Sequence, residues 1–327
     1  MKRRDFLKTS ALSAACLAAD HVITYGEDAN VRKPAGPSNA AALPRREYGK
    51  TGVRLSIIGM GGIVVMNAEQ EHANRVVAEA VERGVNYFDV APSYGDAELK
   101  LGPALEPYRK KVFLVGKTLE RRRKGAEAEL KRTLERLRTD HLDLYQLHAL
   151  ADVGKDVDVI FGKGGAMEVF LEAKKSGRVR FLGFSAHSID AALAAMDRYD
   201  FDSMLFPINF ACYYRGDFGA QVIERARSKG VARLALKAMA RQKWPDRDPQ
   251  RKKYGKCWYQ PLTDPREAGL GLRWTLSQPV TAAIPPGEES LFRMALDLAM
   301  NFKPLSAAEE AELKALAKKQ NPIFPAG

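Results

Sequence analysis

After residue 46 the chain alternates between short apolar runs and segments of helical periodicity, and this alternation constrains the fold more than any other feature. The runs have the length and composition of strands buried on both faces, which is typical of parallel strands covered by helices. The eight runs lie at 56–61, 86–91, 112–117, 142–148, 179–185, 204–209, 232–238 and 281–284. The helical segments that follow them lie at 69–83, 96–108, 125–137, 166–175, 189–196, 220–229, 265–276 and 289–299.

Eight strand–helix units in about 280 residues fit a (β/α)8 barrel, in which parallel strands close into a cylinder surrounded by helices. The alternative is a doubly wound sheet, whose dinucleotide-binding members carry the fingerprint G-x-G-x-x-G after a strand. The glycines at 59–62 are too closely spaced for that fingerprint. We therefore predict an α/β fold of the TIM-barrel class over residues 46–327, with an N-terminal hairpin at 46–55 and a C-terminal helix at 307–318.

The N-terminus has the composition of an export signal, which we assign to residues 1–26. A basic region containing Arg3 and Arg4 precedes a mildly apolar run at 11–19, which is shorter than the roughly 20 residues that span a bilayer. The RR-x-F-L-K form resembles the twin-arginine class of signals. We therefore expect the twin-arginine export machinery as a partner, a periplasmic location and no stable membrane anchor, and a basic tail is the alternative. Residues 27–45 are polar, contain Pro and Gly, and are predicted to be a linker.

The net charge of +12 is partly concentrated in a loop after the seventh predicted strand. Residues 241–257 contain seven basic and two acidic residues, a net charge of +5. A basic loop beside a site attracts a phosphate-bearing cofactor or an acidic substrate as readily as nucleic acid. Because the chain has no helix-turn-helix, zinc-finger or RNA-binding pattern, we predict no nucleic-acid partner. Long loops are usually functional or disordered, so we expect the segment 241–262 either to cover the mouth of the barrel or to lack order.

The cysteines give no support for a metal site. Cys16, Cys212 and Cys257 form no C-x-x-C pair and no cluster with histidine. Neither a zinc nor an iron–sulfur centre is therefore predicted, and the chemistry must come from other side chains.

Four polar side chains fall where such a barrel would place its active site. Asp89, Lys117 and His148 each end an apolar, strand-like run, and Tyr94 follows shortly after Asp89. The carboxyl ends of barrel strands all face the same end of the cylinder, so these groups are expected to converge. Because an unpaired buried charge is very costly, we expect the aspartate and the lysine to pair with each other.

This group of side chains has the composition of a proton relay. A lysine ammonium about 4 Å from a phenol would favour the phenolate by up to about 4 kcal/mol at an effective dielectric near 20. We therefore expect Lys117 to lower the pKa of Tyr94 by roughly one to three units, with Asp89 keeping the lysine charged. His148 would donate a hydrogen bond to the same substrate oxygen. A proton donor for an oxygen that gains negative charge is what carbonyl reduction by hydride requires.

Four blocks of sequence resemble the aldo/keto reductase superfamily, in order and at the expected intervals from about residue 46 to about residue 300. They read GVNYFDVAPSYGDAE, VFLVGKT, LDLYQLH and GRVRFLGFS. The resemblance implies a (β/α)8 barrel that binds NADP(H) at the carboxyl ends of its strands. It also implies a catalytic tetrad of Asp89, Tyr94, Lys117 and His148, with Tyr94 as the general acid.

The resemblance further implies a set of cofactor-binding positions. These are Gly61, Ser185, His187, Asn209, Lys237, Gly287, Ser290 and Arg293. His187 stands where many members have Asn, so it either replaces that Asn at the nicotinamide or forms a hydrogen bond within its loop. Lys237 falls near the expected pyrophosphate, and a solvated surface lysine is the alternative.

The segment after the eighth strand departs from the family pattern. In the family, side chains of Lys, Ser, Arg or Asn usually bind the adenosine 2′-phosphate at this position. This chain instead has Glu288 and Glu289 beside Ser290. Ser290 and Arg293 could take the phosphate at a helix N-terminus, and the two glutamates would repel it. Carboxylates at such a position bind ribose hydroxyls in NAD sites. NADP(H) is the expected cofactor because members of the family usually bind it, and NAD(H) is the alternative.

The expected function is the reversible, NAD(P)H-dependent reduction of a small aldehyde or ketone to an alcohol. The alternative is a nucleotide-binding regulatory or sensor protein on the same barrel, with little turnover. Retention of all four catalytic groups favours the enzyme.

Overall fold

The computed structural model describes residues 42–325, so the expected export signal and most of the expected linker lie outside the described residues. The described chain begins with two antiparallel strands, β1 (Arg45–Glu47) and β2 (Arg54–Ser56). They form the hairpin that the sequence predicts. Thr51 stabilises its turn, because the Thr51 hydroxyl donates to the Tyr48 carbonyl at 2.6 Å.

Ten further strands follow within residues 42–325. They are β3 (Met60–Gly61), β4 (Tyr87–Asp89), β5 (Phe113–Thr118), β6 (Leu142–Leu150), β7 (Val179–Ala186), β8 (Ser203–Pro207), β9 (Ala232–Leu236), β10 (Ala240–Gln242), β11 (Gln260–Pro261) and β12 (Ala282–Ile284). Eight of them, β3 to β9 and β12, form one parallel sheet in the order β12-β9-β8-β7-β6-β5-β4-β3. Ile58 bridges Ala283, and the Gly59 N–H donates to the Ala283 carbonyl at 2.9 Å, so the two ends of the sheet meet. The predicted barrel is confirmed.

The helices of the described residues follow the strands. They are α1 (Gln70–Glu82), α2 (Ala97–Leu105), α3 (Arg123–Arg136), α4 (Val159–Phe161), α5 (Ala166–Lys175), α6 (Ile189–Arg198), α7 (Phe210–Tyr214), α8 (Ala220–Lys229), α9 (Pro265–Ser277), α10 (Glu289–Met300) and α11 (Ala307–Lys318). Shorter turns of 3₁₀ or π type lie at Gly62–Val65, Glu106–Lys111, Val153–Asp158 and Pro249–Lys252. Between residues 42 and 325 no helix is both long and apolar enough to cross a membrane.

Two elements differ from the sequence predictions for local reasons. The helix predicted at 96–108 ends at Leu105 and continues as the 3₁₀ segment, because Pro107 has no N–H for a further α-helical hydrogen bond. The strand predicted at 56–61 pairs regularly only at Met60–Gly61. The remainder of that run bonds irregularly, with the Ile57 N–H donating to the Pro44 carbonyl at 2.9 Å.

The barrel interior changes from apolar to polar towards the carboxyl ends of the strands. Alternate residues of a strand share a face, so Tyr87 and Asp89 of β4 both point inward. At the floor, the Tyr48 ring from the hairpin lies 5.0 Å from Phe113 and 5.5 Å from Phe181, between ring centroids. One step higher on β5 comes Val115, which belongs to the same buried apolar cluster. Above that cluster the inward positions are polar, which places the reactive groups at the top of a filled cylinder.

Candidate active site

A buried ion pair links two neighbouring strands at the top of the barrel. The Lys117 ammonium donates to Asp89 Oδ1 and also to the Val90 carbonyl at 3.3 Å. Lys117 is fully buried and Asp89 is 2% exposed, so water compensates neither charge. Burial raises the pKa of Asp89 and lowers that of Lys117, and the attraction between the two groups opposes both shifts. The expectation that these two charges pair is confirmed.

Tyr94 and His148 lie beside this pair. The Lys117 Nζ atom is 5.2 Å from the centroid of the Tyr94 ring. The His148 imidazole meets the same ring edge-on, with 5.7 Å between centroids and an angle of 84° between the planes. Asp89, Tyr94, Lys117 and His148 come from β4, the loop after it, β5 and β6, and the barrel brings them together.

The expected lowering of the Tyr94 pKa is wrong in direction. Burial raises the pKa of Tyr94 well above its usual value, and the nearby Asp89 carboxylate raises it further. The physical reason is that the charge of Lys117 is already compensated by Asp89, so little of its field remains to stabilise a phenolate. Tyr94 therefore keeps its proton across the neutral pH range.

His148 is a neutral imidazole in this site. Burial, and then the charge of Lys117, lower the pKa of His148 to about 2. Its Nδ1 atom is buried and has no hydrogen-bond partner among residues 42–325. A neutral imidazole has one N–H donor and one acceptor nitrogen, so His148 can donate a hydrogen bond to an uncharged ligand.

Asp89, Tyr94 and His148 line a cavity of about 310 Å3, which we call the inner cavity. Its walls are Gly61, Ile63, Asp89, Ser93, Tyr94, His148, His187, Leu205, Leu236, Lys237, Lys256, Trp258, Tyr259, Ile284, Pro285 and Gly287. A larger groove of about 710 Å3 lies on the outer face of α3 and shares none of these residues. We assign the site to the inner cavity because it combines apolar walls with convergent polar groups.

The expected cofactor-binding residues fall into two sets. Gly61, His187, Lys237 and Gly287 line the inner cavity. The other four are not among its walls. They are Ser185, whose hydroxyl accepts from the Ala149 N–H, Asn209, which caps α7, and Ser290 and Arg293, which lie on α10.

Lys237 is held in an unusual conformation that points to a role. Its φ angle is +69°, in the left-handed region that favours glycine. Asn209 Nδ2 donates to its carbonyl at 3.0 Å, which helps to fix that backbone. The ammonium lies 5.0 Å from the ring centroid of Trp258 and 4.8 Å from that of Tyr259. Burial lowers the pKa of Lys237 to about 8, so this is no solvated surface lysine.

No carboxylate within the described range forms an ion pair with Lys237, although its ammonium faces the inner cavity. A partly buried cation of this kind is stabilised by an anionic ligand. The donor set of the cavity therefore fits a phosphate-bearing molecule.

The segment 241–262 covers the mouth of the barrel, as the sequence predicts. It supplies Lys256, Trp258 and Tyr259 to the inner cavity. Lys256 ties it across the opening, since its ammonium donates to the Val64 carbonyl at 2.8 Å and its N–H donates to Glu288 Oε1 at 2.7 Å. The alternative that this loop lacks order is therefore excluded.

One residue at the mouth of the barrel could not be predicted from the sequence. Phe324, close to the C-terminus, stacks on His187 with 5.1 Å between ring centroids and an angle of 25°. It also meets Trp258 edge-on at 5.9 Å. A single aromatic residue in the short segment after α11 does not indicate such a contact, because the contact depends on the path of the chain in three dimensions.

Within residues 42–325, no group of three or more His, Cys, Asp or Glu side chains is arranged to hold a metal ion.

His187 should make the folded protein sensitive to acid. Burial lowers its pKa to about 4, below the ordinary value of 6.5, so folding favours the neutral form. The stabilisation is complete above pH 6.5 and is lost as the pH falls from about 6.5 to about 4. Between pH 7 and pH 4 the free energy of unfolding should fall in both proteins. We expect the fall to be about 1–3 kcal/mol smaller in His187→Asn than in the wild type. Urea denaturation at the two pH values measures this, and equal losses in both proteins would contradict it.

Comparison with known proteins agrees with the fold. Residues 57–260 match the sequence model of the aldo/keto reductase family. An uncharacterised oxidoreductase of Bacillus subtilis is 30% identical over 158 residues, which are 44% of this chain and 49% of that protein. The L-galactose dehydrogenase of Arabidopsis thaliana is 25% identical over 216 residues, 60% of this chain and 65% of that protein. The matched stretches thus span about half to two thirds of the length of these curated relatives.

Solved structures show the same fold over nearly the whole described chain. The holo form of an aldo-keto reductase from Bacillus halodurans superposes with a TM-score of 0.65 at 21% identity, covering 86% of this chain and 98% of that one. A thermostable aldo-keto reductase in complex with the inhibitor epalrestat gives a TM-score of 0.64 at 21% identity, covering 84% and 100%. From the family match over more than half of its length, the chain belongs to the aldo/keto reductase family.

Proposed function

We propose that this protein is an NAD(P)H-dependent oxidoreductase that reduces a small aldehyde or ketone to an alcohol, reversibly. The observation that carries the proposal is a protonated phenol, Tyr94, in a cavity beside a neutral imidazole and a buried ammonium–carboxylate pair. Membership of the family supports it.

Tyr94 is suited to give a proton to an oxygen that becomes an alkoxide. Its raised pKa keeps the proton in place until the oxygen gains charge. An alkoxide is a much stronger base than a phenolate, so the transfer remains downhill in spite of the raised pKa. His148, as a neutral donor, would hold the carbonyl oxygen without competing for that proton. The Lys117 ammonium, 5.2 Å from the ring centroid, would hold the Tyr94 ring in position for that transfer.

The inner cavity fits a nicotinamide nucleotide, which supplies the hydride when it is bound. Lys237 would face its phosphate groups, because it is a partly buried cation that lines the cavity and has no acidic partner among the described residues. Gly61 and Gly287 line the same cavity as Lys237 and Tyr94. At Gly287 any side chain would collide with Ile63, since an added Cβ would come within 2.3 Å of the Ile63 Cγ2 atom.

We propose further that the site prefers NAD(H) to NADP(H), in contrast to the family habit. Arg293 is one of the residues that the sequence suggests for binding the 2′-phosphate. In the structure its guanidinium forms ion pairs with Glu79 Oε2 at 2.7 Å and with Glu289 Oε1 at 2.5 Å. Glu288 and Glu289 bring two carboxylates to the start of α10. A 2′-phosphate placed there would meet their negative charge and an arginine that is already paired. A ribose hydroxyl would meet no such cost.

Replacement of the proton donor tests the reaction. Tyr94→Phe should lower kcat/KM for aldehyde reduction by about 10²–10⁴-fold, which is the usual contribution of a general acid. The dissociation constant for the reduced nucleotide should stay within about twofold, since the ring remains in place. Both are measured by stopped-flow absorbance and fluorescence titration, with Tyr213→Phe as a matched control away from the inner cavity.

Turnover like that of the wild type in Tyr94→Phe would exclude Tyr94 as the acid. Nucleotide binding by the wild type without turnover of any tested aldehyde would favour the sensor function instead.

Release of Arg293 tests the nucleotide preference. Fluorescence titration of the wild type should give a lower Kd for NADH than for NADPH. Glu79→Gln removes the main partner of Arg293, so we expect Kd for NADPH to fall by roughly 3–10-fold, a gain typical of a partly exposed charge pair. Kd for NADH should be unchanged, and Glu82→Gln on the same helix should affect neither. Tighter binding of NADPH by the wild type would refute the preference.

We also propose that the protein is exported through the twin-arginine pathway, on the strength of the RR-x-F-L-K sequence at its start. Replacement of Arg3 and Arg4 by Lys keeps the charge but removes the arginine pair. The variant should accumulate in the cytoplasm, as fractionation and immunoblotting would show. An unchanged periplasmic fraction would refute the proposal.

A further inference from the structure

A second cavity adjoins the inner one at Tyr94, and we call it the outer cavity. It has a volume of about 470 Å3 and is lined by Ile63, Met66, Ser93, Tyr94, Arg251, Gly255, Lys256, Cys257 and Trp258. Five of these residues, Ile63, Ser93, Tyr94, Lys256 and Trp258, line the inner cavity as well. Tyr94 is thus accessible from both sides. A nucleotide in the inner cavity leaves the outer cavity as the place from which a second molecule reaches the phenol.

The charged side chains that line the outer cavity are all positive. Its walls, as far as the structure describes the chain, include two cations and no carboxylate. Lys256 already donates to the Val64 carbonyl. The side chain of Arg251 is exposed and forms neither a hydrogen bond nor an ion pair with any residue between 42 and 325. Its guanidinium therefore keeps all five N–H donors for a ligand.

The acidic residue closest to Arg251 in sequence does not pair with it. Asp248 Oδ1 accepts from the Gln250 N–H at 2.9 Å, and its Oδ2 accepts from Gln260 Nε2 at 3.1 Å. Both oxygens are thus engaged with other residues of the loop, and the Arg251 guanidinium is left without a carboxylate partner among the described residues.

The remaining walls suit the body of an organic molecule. Trp258 is 52% exposed, which is high for a tryptophan, and it lines both cavities. Met66 and Ile63 add apolar surface. An indole face next to a guanidinium can hold a flat or ring-shaped molecule that ends in an anionic group.

We propose that the substrate is an anionic carbonyl compound, whose carboxylate or similar oxyanion binds Arg251 in the outer cavity while its carbonyl oxygen faces Tyr94. The inference rests on the proposed reductase function. A phosphate of the nucleotide has the same chemistry, but the inner cavity already provides Lys237 for it. Arg251 thus remains for the substrate.

A matched pair of aldehydes tests the inference. 4-Carboxybenzaldehyde and 4-nitrobenzaldehyde have nearly the same shape, and only the first is an anion. In Arg251→Gln, KM for 4-carboxybenzaldehyde should rise about tenfold, which corresponds to about 1.4 kcal/mol. KM for 4-nitrobenzaldehyde should change by less than about twofold. Lys252→Gln, which removes a charge from the same loop outside both cavities, should change neither value. An equal effect of Arg251→Gln on the two aldehydes, or none on either, would overturn the inference.

Two binding measurements separate this inference from the proposed function. The first is a tryptophan fluorescence titration with 4-(hydroxymethyl)benzoate, which requires no turnover. If neither aldehyde is reduced but this carboxylate binds about tenfold more weakly to Arg251→Gln, the reductase function fails and the anion site stands. The second is the Kd for NADH. If Arg251→Gln weakens NADH binding and leaves the carboxylate unaffected, Arg251 belongs to the nucleotide and the inference is overturned.

Discussion

The ion pair between Lys117 and Asp89 is the contact on which the site depends. Both side chains are almost completely removed from water, and the transfer of each charge costs several kcal/mol. Their mutual attraction, helped by the hydrogen bond from Lys117 to the Val90 carbonyl, offsets that cost. Loss of either partner would leave a buried charge alone, at a cost of about 3–5 kcal/mol. The pair thereby fixes the relative heights of β4 and β5, which carry the residues around Tyr94.

The same pair explains why the site donates protons rather than holding a phenolate. A lone ammonium next to Tyr94 would pull its pKa down, whereas an ammonium that already faces a carboxylate exerts little net field. Burial then dominates and keeps the phenol protonated. The positive charge that remains uncompensated lies further out, at Lys237 on one side of the phenol and at Arg251 on the other. The surroundings of the Tyr94 phenol are thus nearly neutral, whereas the inner and the outer cavity on either side of it each carry a positive charge.

Much of the fold could be predicted because barrel strands and their helices leave periodic signals in the sequence. The convergence of Asp89, Lys117 and His148 followed from topology alone, since each lies at or near the carboxyl end of a strand. Short elements gave no such signal. Helix α7 has five residues, too few for a period, and depends on Asn209, whose side chain accepts from the N–H groups of Ala211 and Cys212. The pKa of Tyr94 could not be predicted either, because its sign is set by the balance of burial and two opposite charges, which only coordinates give.

The contact of Phe324 with His187 and Trp258 has a consequence for how the mouth of the barrel is held. His187 follows β7, Trp258 belongs to the segment 241–262, and Phe324 follows α11, so three parts of the chain that are distant in sequence meet at one rim. A substitution that loosens one of these three parts would therefore loosen the packing of the other two, while the hydrogen bonds of the barrel strands beneath stay in place.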